Sequence, residues 1–134
     1  MTAKVGHHFG CWGIVDSVRD DIVTIGDYVV LGANSRIVTH CPISFYSGKP
    51  VDIKIGNNVY IGAECVILPG AIIGDNVVIG AGSVVASTIP PNSVAHGNPC
   101  RAFRTMSEKE IRRLKLMTEQ GKVGDGVEPD WGKE

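Results

Sequence analysis

The chain has 134 residues, 20% of them charged, and a formal net charge of −1. This length suits one domain with its own core, and the near-neutral charge gives no basic surface for nucleic acid or for an acidic membrane. A run of about 18 apolar residues and a charged-then-apolar leader are both missing, so we expect a soluble protein of the cytoplasm that does not insert into a membrane.

Cysteine and glycine are the two informative residue types of the composition. Cysteine occurs at scattered positions without a C-x-x-C pair, namely Cys11, Cys41, Cys65 and Cys100. This pattern favours reduced thiols. Glycine occurs 17 times, well above the usual level of roughly 7%, and this excess requires a structural reason.

Residues 1–21 form the first segment and show no regular hydrophobic spacing, although Val5, Phe9 and Ile14 are apolar. We predict that this segment is an irregular first coil, or a cap that covers the open end of the structure that follows it. A periodic segment, residues 22–104, comes next.

The periodic segment repeats every six residues from Ile25 onward. Its units are IGDYVV, LGANSR and IVTHCP and, after a break, IGNNVY, IGAECV, ILPGAI, IGDNVV, IGAGSV and VASTIP. The first residue of each unit is aliphatic and the fifth is small or β-branched, while glycine and turn-forming residues fill positions two to four. Neither a helix nor a simple strand has this period. Each unit therefore predicts a short strand and a corner, where glycine and asparagine tolerate a positive φ.

A single unit of six cannot bury its apolar side chains, so the units must stack on one another. Three units per turn give a triangular parallel β-helix, an all-β fold whose coils lie about 4.8 Å apart. On this arithmetic, residues 25–90 supply roughly four coils. An antiparallel sandwich would require strict alternation, which this segment lacks.

A loop interrupts the repeats between Ile37 and Ile55. Residues 41–52, CPISFYSGKPVD, contain two prolines, a glycine and two aromatic residues. This composition predicts a loop that leaves the prism.

A helix is predicted over residues 105–121. Ser107 followed by Glu110 is a capping-box pattern, and one helical face carries three apolar side chains, Ile111, Leu114 and Met117. The helix is expected to pack on the coils or on a partner subunit. The tail, residues 122–134, is expected to be weakly ordered.

Residues 22–104 resemble the hexapeptide-repeat acyltransferases, and within them the maltose, galactoside and xenobiotic O-acetyltransferase group. The stretches that carry the resemblance are IGDYVV, VTHCPI, KPVDIKIGNNVYIGAECVILPGAIIGDNVVIGAGSVV and IPPNSVAHGNPCRAFR. The resemblance implies a left-handed β-helix, acetyl-CoA as acyl donor, no metal, and a homotrimer with active sites between subunits. It implies acetyl transfer to a hydroxyl of a sugar or other small acceptor. The loop would then reach toward a neighbouring subunit, or else lie flat on its own coil.

His40 is the candidate catalytic residue, at the point in IVTHCPI where the repeats give way to the loop. A histidine can accept a proton near neutral pH. The resemblance implies that His40 is the general base that takes the proton of the acceptor hydroxyl. The alternative is a turn histidine bonded to the backbone.

On the donor side, the resemblance implies that Tyr60, Gly80 and Ala81 line the acetyl-CoA site. Tyr60 stands where the related enzymes usually carry a tryptophan that faces the neighbouring subunit's histidine, and exterior packing is its alternative. Backbone N–H groups at Gly80 and Ala81 would hold the thioester or its developing oxyanion, or these residues simply turn a corner.

Two arginines, Arg101 and Arg104, match arginines near the CoA phosphates in the related enzymes, and guanidinium groups suit phosphate oxygens. Charge beside a solvent-facing helix is the alternative. The chain departs from the family at Ala86 and Ser87, where Thr-Lys is common, so one cation near the nucleotide is missing.

On the acceptor side, His7 and His8 fall near a position that contacts the acceptor in related enzymes, and His8 is the stronger substrate-binding candidate. Disordered N-terminal residues are the alternative. Asp16 is a second candidate, placed either to contact the acceptor or to orient His40.

Two other functions are compatible with the repeats. One is a non-catalytic β-helix that serves as a scaffold or binding protein. The other is a metal enzyme like the γ-class carbonic anhydrases, which need three histidines on one metal ion. Because only His40 of the chain's histidines lies within the repeats, the metal enzyme is the weaker of these two.

Overall fold

A computed structural model describes residues 3–16, 18–40 and 51–120 of the chain. The predictions for Cys41, for most of the 41–52 loop and for the 122–134 tail lie outside these residues. In the described ranges the chain forms short strands that coil into a triangular prism, followed by one α-helix. No helix among these residues is long and apolar enough to cross a membrane.

The strands follow one another around the prism in coils of three. The first coil consists of β1 (Lys4–Val5), β2 (Gly10–Cys11) and β3 (Ile14–Val15), and a 3-10 turn, Asp20–Ile22, leads to the next. The second coil consists of β4 (Val23–Ile25), β5 (Val29–Leu31) and β6 (Arg36–Ile37). The third consists of β7 (Ile53–Ile55), β8 (Val59–Ile61) and β9 (Val66–Ile67), and the fourth of β10 (Ile72–Ile73), β11 (Val77–Ile79) and β12 (Val84–Val85). The chain ends with β13 (Thr88–Ile89), β14 (Ser93–Gly97), β15 (Cys100–Thr105) and α1 (Glu108–Gln120).

Equivalent strands of successive coils pair in parallel and form the three faces of the prism. The first face has the order β1-β4-β7-β10-β13, and the third face has the order β3-β6-β9-β12. The second face has the order β2-β5-β8-β11-β14, and β15 adds to its end as an antiparallel strand. We call the bend from the first to the second face the first corner, the next bend the second corner, and the bend that leads to the next coil the third corner.

The core is a column of side chains from the first and fifth positions of the repeats. The aliphatic first positions are at most 3% exposed from Ile25 to Val85. The fifth positions are fully buried and small enough for the narrow prism: Val29, Ser35, Val59, Cys65, Ala71, Val77 and Ser83. The predicted inward positions are therefore confirmed, and burying each isoleucine contributes about 1.5–3 kcal/mol of transfer free energy.

The fourth residue of the repeat adopts a positive φ at the corners. This holds for Tyr28, Asn34, Asn58, Glu64, Gly70, Asn76 and Gly82, and for His8 in the first coil. Glycine at position two has a different purpose, because the coils approach most closely there. A Cβ on Gly32 would lie 2.5 Å from the carbonyl carbon of Gly62. The expectation that glycine mainly supplies positive φ is therefore only partly right.

Three sequence-based expectations about the coils need correction. Residues 4–15 form a regular first coil in parallel register with the second, with Gly10 opposite Val30, instead of an irregular segment. The last predicted unit, VASTIP, is not a single repeat, because Ile89, its fifth residue, pairs with the first-position residue Ile73 and so begins a new coil. Residues 25–90 accordingly contain three coils and the start of another, fewer than the roughly four expected.

Helix α1 starts with the predicted capping box. The amide of Ser107 donates to Glu110 Oε1 and the amide of Glu110 donates to Ser107 Oγ, both at 3.2 Å. Leu114 and Thr118 are buried on the helix, which packs against β8 of its own chain. Thr118 Oγ1 lies 3.3 Å from Asn58 Oδ1 at the first corner.

Candidate functional site

Asp16 and His40 occupy the third corner in successive coils. Asp16 directly follows β3, and its amide donates to the carbonyl of Ile37 at 2.9 Å. His40 follows two residues after Val38, whose amide donates to the carbonyl of Ile67 at 2.8 Å. Parallel stacking thus holds the backbone on both sides of the site. The third corner is also where both coils carry extra residues before the next strand.

The side chains of Asp16 and His40 are in contact, with His40 Nδ1 against Asp16 Oδ2. The imidazole is 62% exposed, whereas the carboxylate is only 17% exposed. One ring nitrogen is therefore occupied within the protein, and the rest of the ring faces solvent.

Backbone amides complete the site around the carboxylate. Asp16 Oδ1 accepts from the amide of Val18 at 3.0 Å, and Oδ2 accepts from the amide of Thr39 at 3.1 Å. The buried hydroxyl of Thr39 in turn accepts from the amide of Arg19 at 2.8 Å. Sequence reasoning missed Val18, Thr39 and Arg19. Two sequence signals could have identified them: an Asp at the start of a polar turn, and a Thr directly before His40.

These contacts strongly favour the ionised carboxylate. The pKa of Asp16 falls from 3.8 to about 2, chiefly because the Val18 amide donates to the carboxylate. The Thr39 amide and the His40 side chain lower this pKa further, and desolvation opposes them. Nearby, Arg19 forms an exposed ion pair with Asp21 at 3.0 Å. The site therefore holds a permanent negative charge directly beside His40.

Tyr60 lies at the middle of the second face, where it pairs with Val30 and Val78 of the neighbouring coils. Its side chain points out of the prism and is half-buried. His40 lies at the third corner instead, so a single chain does not bring these two predicted site residues together.

Gly80 and Ala81 begin the second corner of the fourth coil. The Gly80 amide donates to the carbonyl of Ala95 at 2.8 Å, and the Gly80 carbonyl accepts from Ser83 Oγ at 2.6 Å and from Cys65 Sγ at 3.3 Å. The Gly80 amide is thus already used in coil stacking. Ala81 is exposed, and it is the better placed of the two to meet a ligand.

The two arginines of β15 have different surroundings. Arg101 Nη1 donates to Ser87 Oγ at 3.2 Å and to the carbonyl of Cys100 at 2.8 Å. Its guanidinium therefore lies beside the corner that holds Ala86 and Ser87. Arg104 instead forms a bidentate pair with Glu110, at 2.8 and 2.7 Å.

His8 lies at the first corner of the first coil, away from Asp16 at the third corner. Its ring stacks on that of Tyr28, with centroids 4.8 Å apart and an interplanar angle of 5°. The neighbouring His7 donates its amide to Asp27 Oδ1 at 2.8 Å, and its carbonyl accepts from the Tyr28 amide at 2.8 Å. Both histidines therefore belong to a regular corner, contrary to the alternative of a disordered N-terminus.

The described part of the chain offers no metal site. No three His, Cys, Asp or Glu residues in it are grouped so that they could hold a metal ion. Cys65 and Cys100 are buried, and burial raises the pKa of both thiols.

The chain is similar to known acetyltransferases. Residues 52–87 match the bacterial transferase hexapeptide family (six repeats). The galactoside O-acetyltransferase of Escherichia coli (strain K12) is 44% identical over 112 residues, which are 79% of this chain and 55% of that relative. The chain thus spans about half the length of this curated relative.

Two solved structures share the architecture. A maltose O-acetyltransferase from Clostridium difficile 630 has a TM-score of 0.66 and 43% identity, over 80% of this chain and 60% of that chain. A galactoside acetyltransferase in complex with coenzyme A has a TM-score of 0.62 and 38% identity, over 81% of this chain and 57% of that chain. The predicted fold class, a left-handed parallel β-helix with a short C-terminal helix, is confirmed.

Proposed function

We infer that this chain, which belongs to the hexapeptide-repeat transferases, transfers an acetyl group from acetyl-CoA to a hydroxyl of a sugar or another small acceptor. The observation that carries the proposal is the exposed imidazole of His40, which the coil holds by one ring nitrogen at the corner where the repeats are interrupted. Similarity to galactoside and maltose O-acetyltransferases supports the hydroxyl as the acceptor group.

In the proposed reaction His40 is the general base. Its solvent-facing nitrogen, Nε2, takes the proton of the acceptor hydroxyl as the oxygen attacks the acetyl carbon. Acetyl-CoA, when bound, supplies the acetyl group as a thioester, whose C–S bond breaks as the ester forms. The protonated His40 then returns the proton to the departing sulfur. General-base catalysis of this kind contributes roughly 10²–10⁴-fold to a rate.

The residues on the donor side fit a CoA molecule in part. The half-buried ring of Tyr60 offers a flat apolar surface for the pantetheine arm, and exposed Ala81 leaves room for a close approach. Arg101 brings a cation to the end of the prism and suits a phosphate. Arg104 would have to leave Glu110 to do the same, so we assign the phosphate contact to Arg101.

The active site is proposed to form between subunits of a homotrimer. His40 and Tyr60 lie on different parts of one chain's surface, so one subunit would supply the base and its neighbour the Tyr60 wall. Apolar side chains on the third face favour such an assembly: Val66 and Val84 point outward from neighbouring strands, and Ile14, 54% exposed, lies on the same face beyond the exposed Arg36. A partner subunit would cover these residues.

The test is His40→Ala in the full chain, with acetyl transfer measured on a panel of sugars. We expect a loss of roughly 10²-fold or more in kcat, with CoA binding by calorimetry unchanged. Lys4→Ala, which removes an exposed side chain of β1 on the first face, is the control and should keep full activity. Equal turnover by His40→Ala and wild type would rule out His40 as the base. If the wild type neither turns over nor binds CoA, the scaffold alternative replaces the enzyme.

A further inference from the structure

We propose that Asp16 is a positioning residue that holds His40 in the tautomer with its proton on Nδ1, and that Asp16 does not bind the acceptor. This inference rests on the proposed role of His40 as the base. The sequence left two roles open for Asp16, and the geometry distinguishes between them.

Three donors from its own chain hold the carboxylate of Asp16. Oδ1 accepts from the Val18 amide, and Oδ2 accepts from the Thr39 amide and contacts His40 Nδ1. These donors fix the rotation of the carboxylate, which is mostly shielded from solvent. Oδ1 keeps one acceptor site, but the carboxylate is only 17% exposed whereas the imidazole is 62% exposed, so an acceptor hydroxyl reaches His40 far more readily than Asp16.

The charge state of Asp16 determines the tautomer of His40. An ionised carboxylate can only accept hydrogen bonds, so the ring nitrogen against it must carry a proton. In the neutral imidazole the other nitrogen, Nε2, is then the one with a free lone pair. Because Asp16 stays ionised at all moderate pH values, His40 presents Nε2 as its basic atom. The carboxylate also stabilises the imidazolium that forms when the base takes a proton.

A reciprocal clamp between two coils keeps this pair in place. The Asp16 side chain of the first coil binds the backbone of Thr39 in the second, and the Thr39 hydroxyl binds the backbone of Arg19 in the first. Among the described residues, the other charged groups of this corner are Asp20, Arg19, which is paired with Asp21, and Asp52, whose charge also acts on Arg19. Asp16 is therefore the carboxylate that faces the imidazole.

The tautomer is measured directly on the wild-type full chain by ¹⁵N NMR of its histidine side chains. The His40→Ala spectrum identifies the His40 signals. We expect the neutral imidazole of His40 to carry its proton on Nδ1 and none on Nε2. A proton on Nε2 with a bare Nδ1 would overturn the proposal, and this measurement depends neither on activity nor on the folding of an Asp16 variant.

Kinetics of Asp16→Asn then separate positioning from acceptor binding. Asparagine has one acceptor oxygen where the site needs two, so His40 should lose its fixed tautomer. We expect kcat to fall by roughly 10- to 100-fold with an acceptor KM changed by less than about twofold. Asp21→Asn is the matched control, since it removes an exposed carboxylate from the same corner, and it should retain wild-type kcat.

The two kinds of failure are distinguishable. A large rise in acceptor KM at unchanged kcat in Asp16→Asn would show that Asp16 binds the acceptor, contrary to the proposal. If the wild type has the Nδ1 proton but transfers no acetyl group to any acceptor, the Asp16–His40 arrangement stands and the proposed function fails.

Discussion

At the scale of single residues, the six-residue repeat assigns a separate physical task to each position. The first and fifth positions fill the core, and the fourth reverses the chain with a positive φ. The second position lies where one coil's backbone contacts the next. At the third corner this position holds Val38 and Leu68, but at the first two corners it holds glycine, and a Cβ on Gly26, Gly32 or Gly56 would lie within 2.5 Å of the next coil.

Gly32→Ala should therefore destabilise the protein strongly. The new Cβ would lie 2.5 Å from the carbonyl carbon of Gly62, and backbone atoms cannot move aside cheaply. We expect the free energy of unfolding to fall by at least about 1–3 kcal/mol in urea titrations.

Gly10→Ala is the control for this substitution, because its Cβ would meet only a Val30 methyl group, at an ordinary 3.6 Å. Its free energy of unfolding should stay the same or rise by up to about 1 kcal/mol. If Gly10→Ala and Gly32→Ala lowered the free energy of unfolding equally, glycine would be needed for its backbone freedom and not for the stacking of coils.

The structural roles of single residues were only partly predictable from the sequence. The inward positions followed from hydrophobic periodicity, which a regular repeat displays directly. The contact of Asp16 with His40 was only one of two alternatives for Asp16, because it joins two coils through an irregular corner whose length the periodicity does not determine. The same limit explains why Arg104 was expected at a phosphate, whereas it pairs with Glu110.

At the scale of elements, helix α1 is anchored by a short network at its first turn. Ser107 and Glu110 cap each other, and Arg104 of β15 adds a bidentate pair to the same carboxylate. The cap was predictable because it is a local pattern. The arginine partner was not, since it comes from the neighbouring strand.

Glu110→Gln should weaken this anchor in a pH-dependent way. Chiefly the side chain of Arg104 lowers the pKa of Glu110 from 4.5 to about 2 in the folded protein. A lowered carboxyl pKa stabilises the fold above the unfolded value, and this contribution disappears as the pH falls toward the folded value. Because glutamine keeps the cap but loses the charge, the wild type should be more stable by about 0.5–1 kcal/mol at neutral pH.

Thermal unfolding of both proteins between about pH 7 and pH 2 tests this prediction. The difference in Tm should be constant above the ordinary pKa of 4.5 and shrink to nothing near pH 2. Glu108→Gln, an exposed carboxylate of the same helical turn, should show a smaller difference at neutral pH. A Glu110→Gln difference that persists unchanged at low pH would contradict the role of the ion pair.

At the scale of the whole molecule, each coil fixes the position of the next, because equivalent strands of successive coils pair in parallel. Each regular corner rests on the backbone of the next coil. In the first two coils the third corner contains more residues than the other corners do, and it carries Asp16 and His40. Regular repeats thus supply rigidity, and their interruption supplies the candidate chemistry.

The proposed trimer makes a sharp prediction for mixed assemblies. If His40 of one subunit works against Tyr60 of its neighbour, His40→Ala and Tyr60→Ala chains should complement each other when they are co-expressed. In random trimers from equal amounts, about one quarter of the sites would combine an intact His40 with an intact neighbouring Tyr60. Acetyl transfer by the unfractionated mixture should therefore recover to about one quarter of the wild-type rate, and by trimers that contain both chains to about one third, because each such trimer has one intact site in three; both lie well above either parent.

A pair of variants from the same half-site supplies the control. Asp16 and His40 are in contact within one chain, so no trimer assembled from Asp16→Asn and His40→Ala chains contains an intact Asp16–His40 pair. That mixture should show no more activity than its more active parent. Two differently tagged chains, purified through both tags, ensure that only mixed trimers are assayed. If such trimers form but His40→Ala and Tyr60→Ala fail to complement, the donor wall and the base belong to one subunit, and the inter-subunit site is wrong.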